Sequence, residues 1–215
     1  MARPRIPLIS RDRALSVALE IIDARGLEGL SIRRLAQALG VNGASLYHHF
    51  RDKDEIVAGA AELALAELRA AGAHAGGWRR WLPESVRHLR QALLAHPALV
   101  PVVARHRSLG MGARVLDTWA ARLMEEGVPS AAVMPLLDAL ELFAISSALH
   151  ETHGAAVPVE GYPALAKATA ERGLSSAEIH DLVAASIIDA IDVAVEQRQA
   201  RWLPGNAHRR AAPTS

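Results

Sequence analysis

The fold of this chain is decided by the stretch Ser31-Ile32-Arg33-Arg34-Leu35-Ala36-Gln37-Ala38-Leu39-Gly40-Val41-Asn42-Gly43-Ala44-Ser45-Leu46-Tyr47-His48-His49-Phe50. Ser31 is a favourable N-cap, and apolar side chains then recur at the spacing of one helical face. Gly40 supplies the permissive backbone at which this helix must stop, and Asn42 can begin a second, short helix. The spacing therefore predicts a helix-turn-helix, in which one helix crosses the DNA backbone and the next enters the major groove.

Helices on both sides should complete a small module around this motif. A first helix is expected from Ser10 to about Arg25, where Gly26 ends it. A fourth helix should begin at Asp52, with Glu55 in the capping-box position, and continue to about Ala71. The predicted core of the module consists of Leu19, Ile22, Leu35, Leu39, Leu46 and Phe50.

Composition indicates an all-α protein. The 215 residues are 51% hydrophobic but only 4% aromatic, and Ala and Leu, which favour helices, dominate the apolar set. Up to Lys53 nine basic residues stand against five acidic ones, a net charge of +4 that leaves −3 for the remainder. A basic N-terminal part would attract DNA phosphates, although chance asymmetry explains the pattern equally well. The absence of cysteine excludes disulfides, thiolate catalysis and cysteine-based zinc sites.

The chain is expected to divide into four segments. Residues 1–9 should be a flexible arm, residues 10–71 the helix-turn-helix domain with its connecting helix, residues 77–203 a second helical domain, and residues 204–215 a disordered tail. Neither an apolar leader region nor an apolar run of membrane-spanning length is evident, so we expect a cytoplasmic protein without a membrane segment. The helices of the second domain are expected at Trp78 to before Pro97, Met111 to Glu126, Ser130 to Glu151 and Ser175 to Arg201. A short connecting segment is expected at 98–106, and a loop with one short helix around 164–172 is expected between the last two helices.

Two long helices near the C-terminus indicate self-association. Both Ser130 to Glu151 and Ser175 to Arg201 are apolar around more of their circumference than one packed face can use. A helix of this kind is buried inside a large core or by a partner subunit, and in a domain this small we favour the partner. We therefore expect a homodimer, and we expect Leu142 and Ile188 to be outward apolar positions.

The first sixty residues closely resemble the DNA-binding domain of the TetR family of bacterial transcriptional repressors. The resemblance is carried by Leu46-Tyr47-x-His49-Phe50 followed by Lys53, and by Gly26-Leu27-x-x-Leu30-Ser31-x-Arg33-Arg34-Leu35-Ala36, and it runs from about Ser10 to about Ala60. Over the rest of the chain it rests on helix order, on Leu93-Leu94-Ala95-His96-Pro97 and on the apolar helix near Leu136 to Leu149. The resemblance implies a ligand-binding and dimerising domain at residues 77–203, with the two long helices packed against their symmetry mates.

The same resemblance implies which residues meet DNA. Arg33 matches a position that contacts a base, and an Arg side chain can take O6 and N7 of guanine together. Ser45 and His48 match the base-reading side of the recognition helix, while Tyr47, His49 and Lys53 match positions that grip phosphate. Ser31 could add a hydroxyl or amide contact at a helix N-terminus. Gly43 and Ala44 differ from the residues of many family members at these positions, because their side chains offer no hydrogen bond. Sequence readout would then rely on Arg33, Ser45, His48 and contacts with thymine methyl groups. Arg3 and Arg5 could enter a minor groove, but we favour a solvated arm.

The ligand-binding residues are expected on the helices of the second domain. The set that we propose from the sequence is Trp81, Leu89, Leu93, His106, Trp119, Leu140, Phe143 and His150. His150-Glu151-Thr152-His153 is one residue short of the His-Glu-x-x-His zinc-protease motif, so we expect neither catalysis nor a metal centre there. His106 with His150 or Glu151 loosely resembles the arrangement by which tetracycline-binding members hold a drug-bound magnesium, whereas solvated histidines at a helix end are the simpler interpretation.

These observations predict a dimeric, ligand-responsive repressor that binds a palindromic double-stranded DNA operator and is released from it by a small-molecule effector. We expect no enzyme activity and no cofactor. The alternatives are a small-molecule-binding helical protein or hydrolase whose helix-turn-helix does not read DNA, and an architectural DNA-binding protein without a pocket. A cavity of a few hundred cubic ångströms in the second domain would argue against the architectural protein.

Overall fold

The computed structural model describes residues 10–66, 76–105, 112–154 and 157–202, and every regular element in these ranges is helical. The all-α prediction is therefore confirmed. In chain order the elements are α1 (Arg11–Gly29), α2 (Ile32–Leu39), α3 (Gly43–Leu46), α4 (Lys53–Ala64), α5 (Trp78–Ala95), a 3₁₀ helix (Pro97–Leu99), α6 (Val100–Arg105), α7 (Gly112–Glu125), α8 (Ser130–His153), α9 (Pro163–Ala170) and α10 (Ser176–Trp202). The expected arm, the expected tail and His106 lie outside the described residues.

Helices α1 to α4 form the N-terminal module. The regular part of α1 ends at Gly26, whose φ of 68° breaks the helix where the sequence predicts it. The predicted core is largely confirmed, since Ile22, Leu35, Leu46 and Phe50 are no more than 2% exposed. Leu19 and Leu39 are only partly buried, so they line the edge of this core.

Helix α4 packs closely against α1. The approach requires Gly59, because a Cβ atom there would lie 2.7 Å from Cδ2 of Leu15. Asp52 caps the helix as predicted, with its Oδ1 accepting from the Glu55 amide at 2.8 Å. The expectation of a helix to about Ala71 is wrong within the described residues, because α4 ends at Ala64 and the chain turns there. Residues 67–75 lie outside the described ranges.

The C-terminal half is built around α8, which packs against α5, α6, α7 and α10. Helix α10 begins with the predicted reciprocal capping box, in which the Ser175 amide donates to Glu178 and the Glu178 amide donates to Ser175 Oγ. The buried apolar residues of both halves form one connected cluster, because α4, α5, the 3₁₀ helix and α6 meet around Leu65, Leu93 and Leu99. The core therefore continues across the expected domain boundary.

The outward positions of the two long helices differ in part from expectation. Leu142 on α8 is outward, with 52% of its surface exposed, as predicted. Ile188 on α10 is only 3% exposed, so its prediction as an outward position is wrong. The reason is the helix phase: His180, Ala184 and Ile188 recur every four residues and form the core-facing line of α10. Among the side chains of α10 that the structure describes, the large apolar ones that are exposed are instead Leu182 and Val193.

Among the described residues, α8 is the helix that is long and apolar enough to cross a membrane. Half of its most apolar window is buried inside the protein, and it is the central packing helix of the C-terminal half. The length and the apolar composition of α8 are therefore explained by its position in the core of the protein.

Candidate nucleic-acid interface and ligand site

Local hydrogen bonds build the helix-turn-helix. Ser31 Oγ accepts from the Arg34 amide at 3.2 Å and caps α2, while Gly40 takes the left-handed conformation, with φ of 68°, that ends it. Asn42 Oδ1 accepts from the Ala44 amide at 3.1 Å and caps α3. Leu46 and Phe50 anchor the second helix and its exit to the core with at most 2% exposure. The turn geometry therefore follows the sequence prediction.

The residues predicted to meet DNA lie close together at the solvent side of this motif. Tyr47 has 60% of its surface exposed, although an apolar ring of this size would pack inside the module if its role were structural. The others are placed as follows: Ser31, Arg33, Ala44 and His48 are exposed, and Gly43, Ser45, His49 and Lys53 are half-buried. The exposed surface carries two hydroxyl groups, an imidazole and a guanidinium, which are groups that donate hydrogen bonds to phosphates and bases.

Lys53 has a structural contact that the sequence does not reveal. It is the first residue of α4, and its Nζ donates to the backbone carbonyl of Leu27 at 3.0 Å. Leu27 follows the kink of α1, so Lys53 ties the start of α4 to the turn before α2. An ammonium group has three donors, and a phosphate contact can therefore coexist with this tie.

Sequence reasoning missed a clasp formed by Arg11 and Glu55. Arg11 Nη1 donates to the His49 carbonyl at 2.7 Å and to Glu55 Oε1 at 3.0 Å, and its guanidinium lies 4.7 Å from the centroid of the Phe50 ring. The other carboxylate oxygen of Glu55 accepts from the Arg51 amide at 2.9 Å. In a capping box Glu55 would accept from the amide of the N-cap residue, Asp52, but here it accepts from the amide of the preceding residue, Arg51. These contacts, with the Arg51 backbone bond first, hold the pKa of Glu55 at about 2.

Most of the predicted ligand-binding side chains are buried in the apolar core. Trp81, Leu89, Leu93, Trp119 and Leu140 are at most 1% exposed. The Trp81 ring meets Trp119 edge-on at 5.7 Å, and its Nε1 donates to Glu126 at 3.1 Å. Phe143 is half-buried and His150 is exposed at the end of α8. The structure thus pairs Trp81 with Trp119, buries the leucine candidates in the same connected core, and leaves His150 at the surface.

A polar cluster lies between α5, α8 and α10. Arg90 is buried; its Nε donates to Ser147 Oγ at 3.1 Å, and it is ion-paired with Glu151. Arg87 holds Asp181 with two hydrogen bonds of 3.0 and 3.1 Å. We call the set Arg87, Arg90, Ser147, Glu151, His180 and Asp181 the α5–α8–α10 cluster. Sequence analysis did not single out this cluster, because its members are separated by up to 94 residues.

His180 is the most enclosed titratable group of this cluster. Its side chain is 1% exposed and stacks on Phe143, with ring centroids 5.2 Å apart and planes inclined by 18°. Burial lowers the pKa of His180, and the neighbouring Arg90 and Arg87 charges act in the same direction. The contact with Asp181 opposes this shift, but burial is the larger effect, so the neutral form of the imidazole is favoured.

Within the described residues the two halves of the chain meet at a polar contact and at a cleft. His96 Nδ1, at the end of α5, lies 2.9 Å from Asp23 of α1. A cleft of about 590 Å³ opens between the start of α4, the kink of α1 and α6. Its floor is apolar, and its rim includes Arg51, Lys53 and Arg105. In the described residues no group of three or more His, Asp or Glu side chains is arranged to hold a metal ion.

Both halves of the chain match models of known protein families. Residues 14–60 match the family model described as bacterial regulatory proteins, tetR family, and residues 72–189 match the tetracyclin repressor-like C-terminal domain. The tetracycline repressor protein class E of Escherichia coli is 38% identical over 90 residues, which are 41% of this chain and 43% of that repressor. The alignment thus spans less than half the length of that relative.

Solved structures match over most of the chain. Apo ActR from Streptomyces coelicolor has a TM-score of 0.74 at 27% identity, with 90% of this chain and 99% of that chain covered. The same protein in complex with actinorhodin has a TM-score of 0.70 at 27% identity, with 86% and 98% covered. The fold described above is therefore shared by a regulator that binds a small molecule in its own crystal structure.

Proposed function

This chain belongs to the tetR family of bacterial regulatory proteins, and from that premise we propose that it is a ligand-responsive transcriptional repressor. In this proposal a homodimer binds a palindromic operator through its two helix-turn-helix motifs, and a small molecule releases it. Its action needs no catalytic step and no cofactor, and it takes place in the cytoplasm with the DNA. Actinorhodin bound to ActR and the tetracycline repressors among the relatives support an aromatic, polycyclic effector.

The observation that carries the proposal is the exposed surface of α2 and α3. Leu46 and Phe50 fix α3 to the core, while Tyr47, His48 and Arg33 remain in solvent. A purely structural module gains nothing from a 60% exposed tyrosine on α3 and an exposed guanidinium on α2. Side chains that donate hydrogen bonds and are left free at a helix-turn-helix suit contact with phosphates and base edges.

The dimer would form through the exposed apolar side chains of α8 and α10. We call Leu142, Leu182 and Val193 the proposed dimer surface, and each has more than half of its surface exposed. Both helices also expose small residues, Ser146 on α8 and Ala185 on α10, which allow close helix approach. A two-fold axis through this surface would place two recognition helices on successive turns of DNA.

Selection from random double-stranded DNA tests the function directly. We expect the chain to enrich a palindromic sequence whose half-sites lie one helical turn apart. On that sequence Arg33→Ala should cost roughly 1–3 kcal/mol of binding free energy and much less on random DNA, because its fork reads a guanine. Tyr47→Ala should weaken binding to both DNAs about equally, since a phosphate contact carries no sequence information.

Arg114→Ala is the matched control for these variants, because it removes one exposed guanidinium from α7, far from the helix-turn-helix in the fold. It should leave binding unchanged. Enrichment of no sequence, together with binding of small molecules, would identify the chain as a ligand-binding protein whose motif does not read DNA. If Arg33→Ala lost the same binding free energy on the selected sequence and on random DNA, Arg33 would contact phosphate and not a base.

A further inference from the structure

The start of α3 presents little side chain to DNA. Gly43 has no side chain, and Ala44 adds only a methyl group. Beyond its own helix and chain neighbours, a Cβ atom placed on Gly43 would meet only Cγ2 of Ile32, at 3.8 Å, so the space in front of this residue is open. The first residues of the second helix of a helix-turn-helix contact base edges. In the proposed complex with DNA, a side chain next to Gly43 can therefore reach the bases through this space.

Asn42 is the side chain next to this space, and half of its amide is already in use. It is exposed, and its Oδ1 accepts from the Ala44 amide at 3.1 Å. Because a backbone amide only donates, the atom that faces Ala44 must be the carbonyl oxygen of the side chain. Nδ2, with two N–H donors, lies on the other side of the amide, and no hydrogen bond joins it to the part of the chain that the structure describes. Asn42 therefore holds two free donors at the solvent side of the motif.

The capping bond also fixes the direction of these donors. The side-chain amide is planar, so the bond from the Ala44 amide to Oδ1 determines where Nδ2 lies. Leu46 and Phe50 in turn anchor α3 to the core with at most 2% exposure. A donor that is held in place before binding loses less conformational entropy when it meets its acceptor. The amide of Asn42 is thus organised for a contact in the free protein.

A fixed donor distinguishes the four bases by their acceptors. A free asparagine side chain reads adenine, because its oxygen accepts from N6 while its nitrogen donates to N7. The oxygen of Asn42 faces Ala44, so the donating half of the amide remains for DNA. In the major groove guanine presents two neighbouring acceptors, N7 and O6, whereas adenine presents a donor beside N7, thymine one acceptor and cytosine a donor. A donating group therefore favours guanine and disfavours cytosine.

We propose that Asn42 is a further base-reading residue, whose Nδ2 donates to the N7 and O6 edge of a guanine in the major groove. This inference rests on the proposed function, because it adds a residue and a base preference to operator recognition. The same side chain then has two tasks: its oxygen caps α3, and its nitrogen reads DNA.

Two substitutions that keep the cap separate these tasks. Asparagine, aspartate and serine are about equally good caps, so Asn42→Asp and Asn42→Ser should keep the wild-type Tm. In selection from random DNA, the wild-type chain should enrich guanine about tenfold at one position of each half-site, in addition to the guanine that Arg33 reads. Asn42→Ser should lose this preference, because its side chain is shorter and has no amide. Asn42→Asp should change the preference to cytosine, because a carboxylate oxygen replaces Nδ2 and accepts from cytosine N4.

Gln37→Glu is the matched control for Asn42→Asp. It makes the same change from amide to carboxylate at an exposed residue of α2. The added negative charge should weaken binding to all DNA, but the guanine preference at this position should stay as in the wild type.

A base analogue tests the contact without relying on selection. On the selected DNA, 7-deazaguanine at this position removes the N7 acceptor and keeps the base pair. The wild-type chain should lose affinity several-fold on this DNA. Asn42→Ser should lose no more than it has already lost, because the donor that N7 would accept from is absent.

A guanine preference that persists in Asn42→Ser, or an equal effect of 7-deazaguanine on the wild type and on Asn42→Ser, would overturn the inference. Affinity losses that are equal on selected and random DNA would assign Asn42 to a phosphate contact and overturn it as well. These results would leave the repressor standing, because the wild-type chain would still select its DNA. A wild-type chain that enriches no sequence would refute the repressor and, with it, base reading by Asn42.

Discussion

A charge placed on the proposed dimer surface should convert the protein to a monomer. In Leu142→Glu a carboxylate replaces a leucine that is 52% exposed at the outward face of α8. Because a two-fold interface repeats each residue, the substitution occurs twice in every dimer. The folded protomer should be unaffected, since the replaced side chain already faces solvent there.

The size of the effect follows from the exposed half of Leu142. Full burial of a leucine side chain is worth roughly 1.5–3 kcal/mol, so burying the remaining half contributes about 1 kcal/mol per subunit. Desolvation of an unpaired carboxylate adds a cost of at least about 1 kcal/mol per subunit. Over both copies the loss is about 4 kcal/mol, which raises the dimer dissociation constant about 1,000-fold.

Sedimentation velocity across the micromolar range measures this change, and DNA binding reports its consequence. A monomer holds one half-site and loses most of the affinity that two linked half-sites provide. Met124→Glu is the control, because Met124 is 47% exposed on α7 and outside the proposed dimer surface. If Leu142→Glu remains dimeric and binds DNA normally, the interface lies elsewhere. A wild-type chain that sediments as a monomer would refute the dimer itself.

Three further predictions concern contacts within and between the two halves. Lys53→Ala should reduce the slope of log affinity against log salt by about one unit per lost phosphate contact. It should also lower Tm, because the Leu27 carbonyl loses its donor. A lower Tm with an unchanged slope would show that the role of Lys53 is purely structural. His96→Ala should increase amide hydrogen exchange around Asp23, since it removes the side-chain contact between α1 and the end of α5. Exchange as slow as in the wild type would show that this contact does not join the halves. Glu55 has its pKa lowered from 4.5 to about 2, so the stability that its carboxylate provides is complete above pH 4.5 and is lost as the pH falls towards 2. Glu55→Gln should therefore lower Tm at pH 7 and flatten the decline of Tm in acid, and a decline of unchanged steepness would contradict this assignment.

Local sequence signals predicted the N-terminal module well. Ser31, Gly40, Asn42 and Asp52 each bond to residues two to four positions away, and all four positions behave as expected. The helix ends at Gly26 and Gly40 follow from the one residue type that adopts a positive φ without strain. Features whose cause lies within one helical turn are visible in a sequence.

Features that depend on distant pairs were not visible. The clasp between Arg11 and Glu55 spans 44 residues, and the bond from Lys53 to Leu27 spans 26. Ile188 was misplaced because α10 is apolar over so wide an arc that its sequence does not specify which side faces the core. His180 escaped attention for the related reason that a single histidine between apolar neighbours resembles any buried polar residue until its surroundings are known.

The clasp around Glu55 has a mechanical consequence for release from DNA. One carboxylate fastens the beginning of α1, the exit of α3 and the first turn of α4, and Arg11 adds a bond to the His49 carbonyl and a contact with the Phe50 ring. Three elements joined at one carboxylate resist bending relative to one another. We therefore expect the N-terminal module to reorient as a single rigid unit in the proposed repressor, so that an effector would change the angle between the two modules of a dimer and not the internal structure of either.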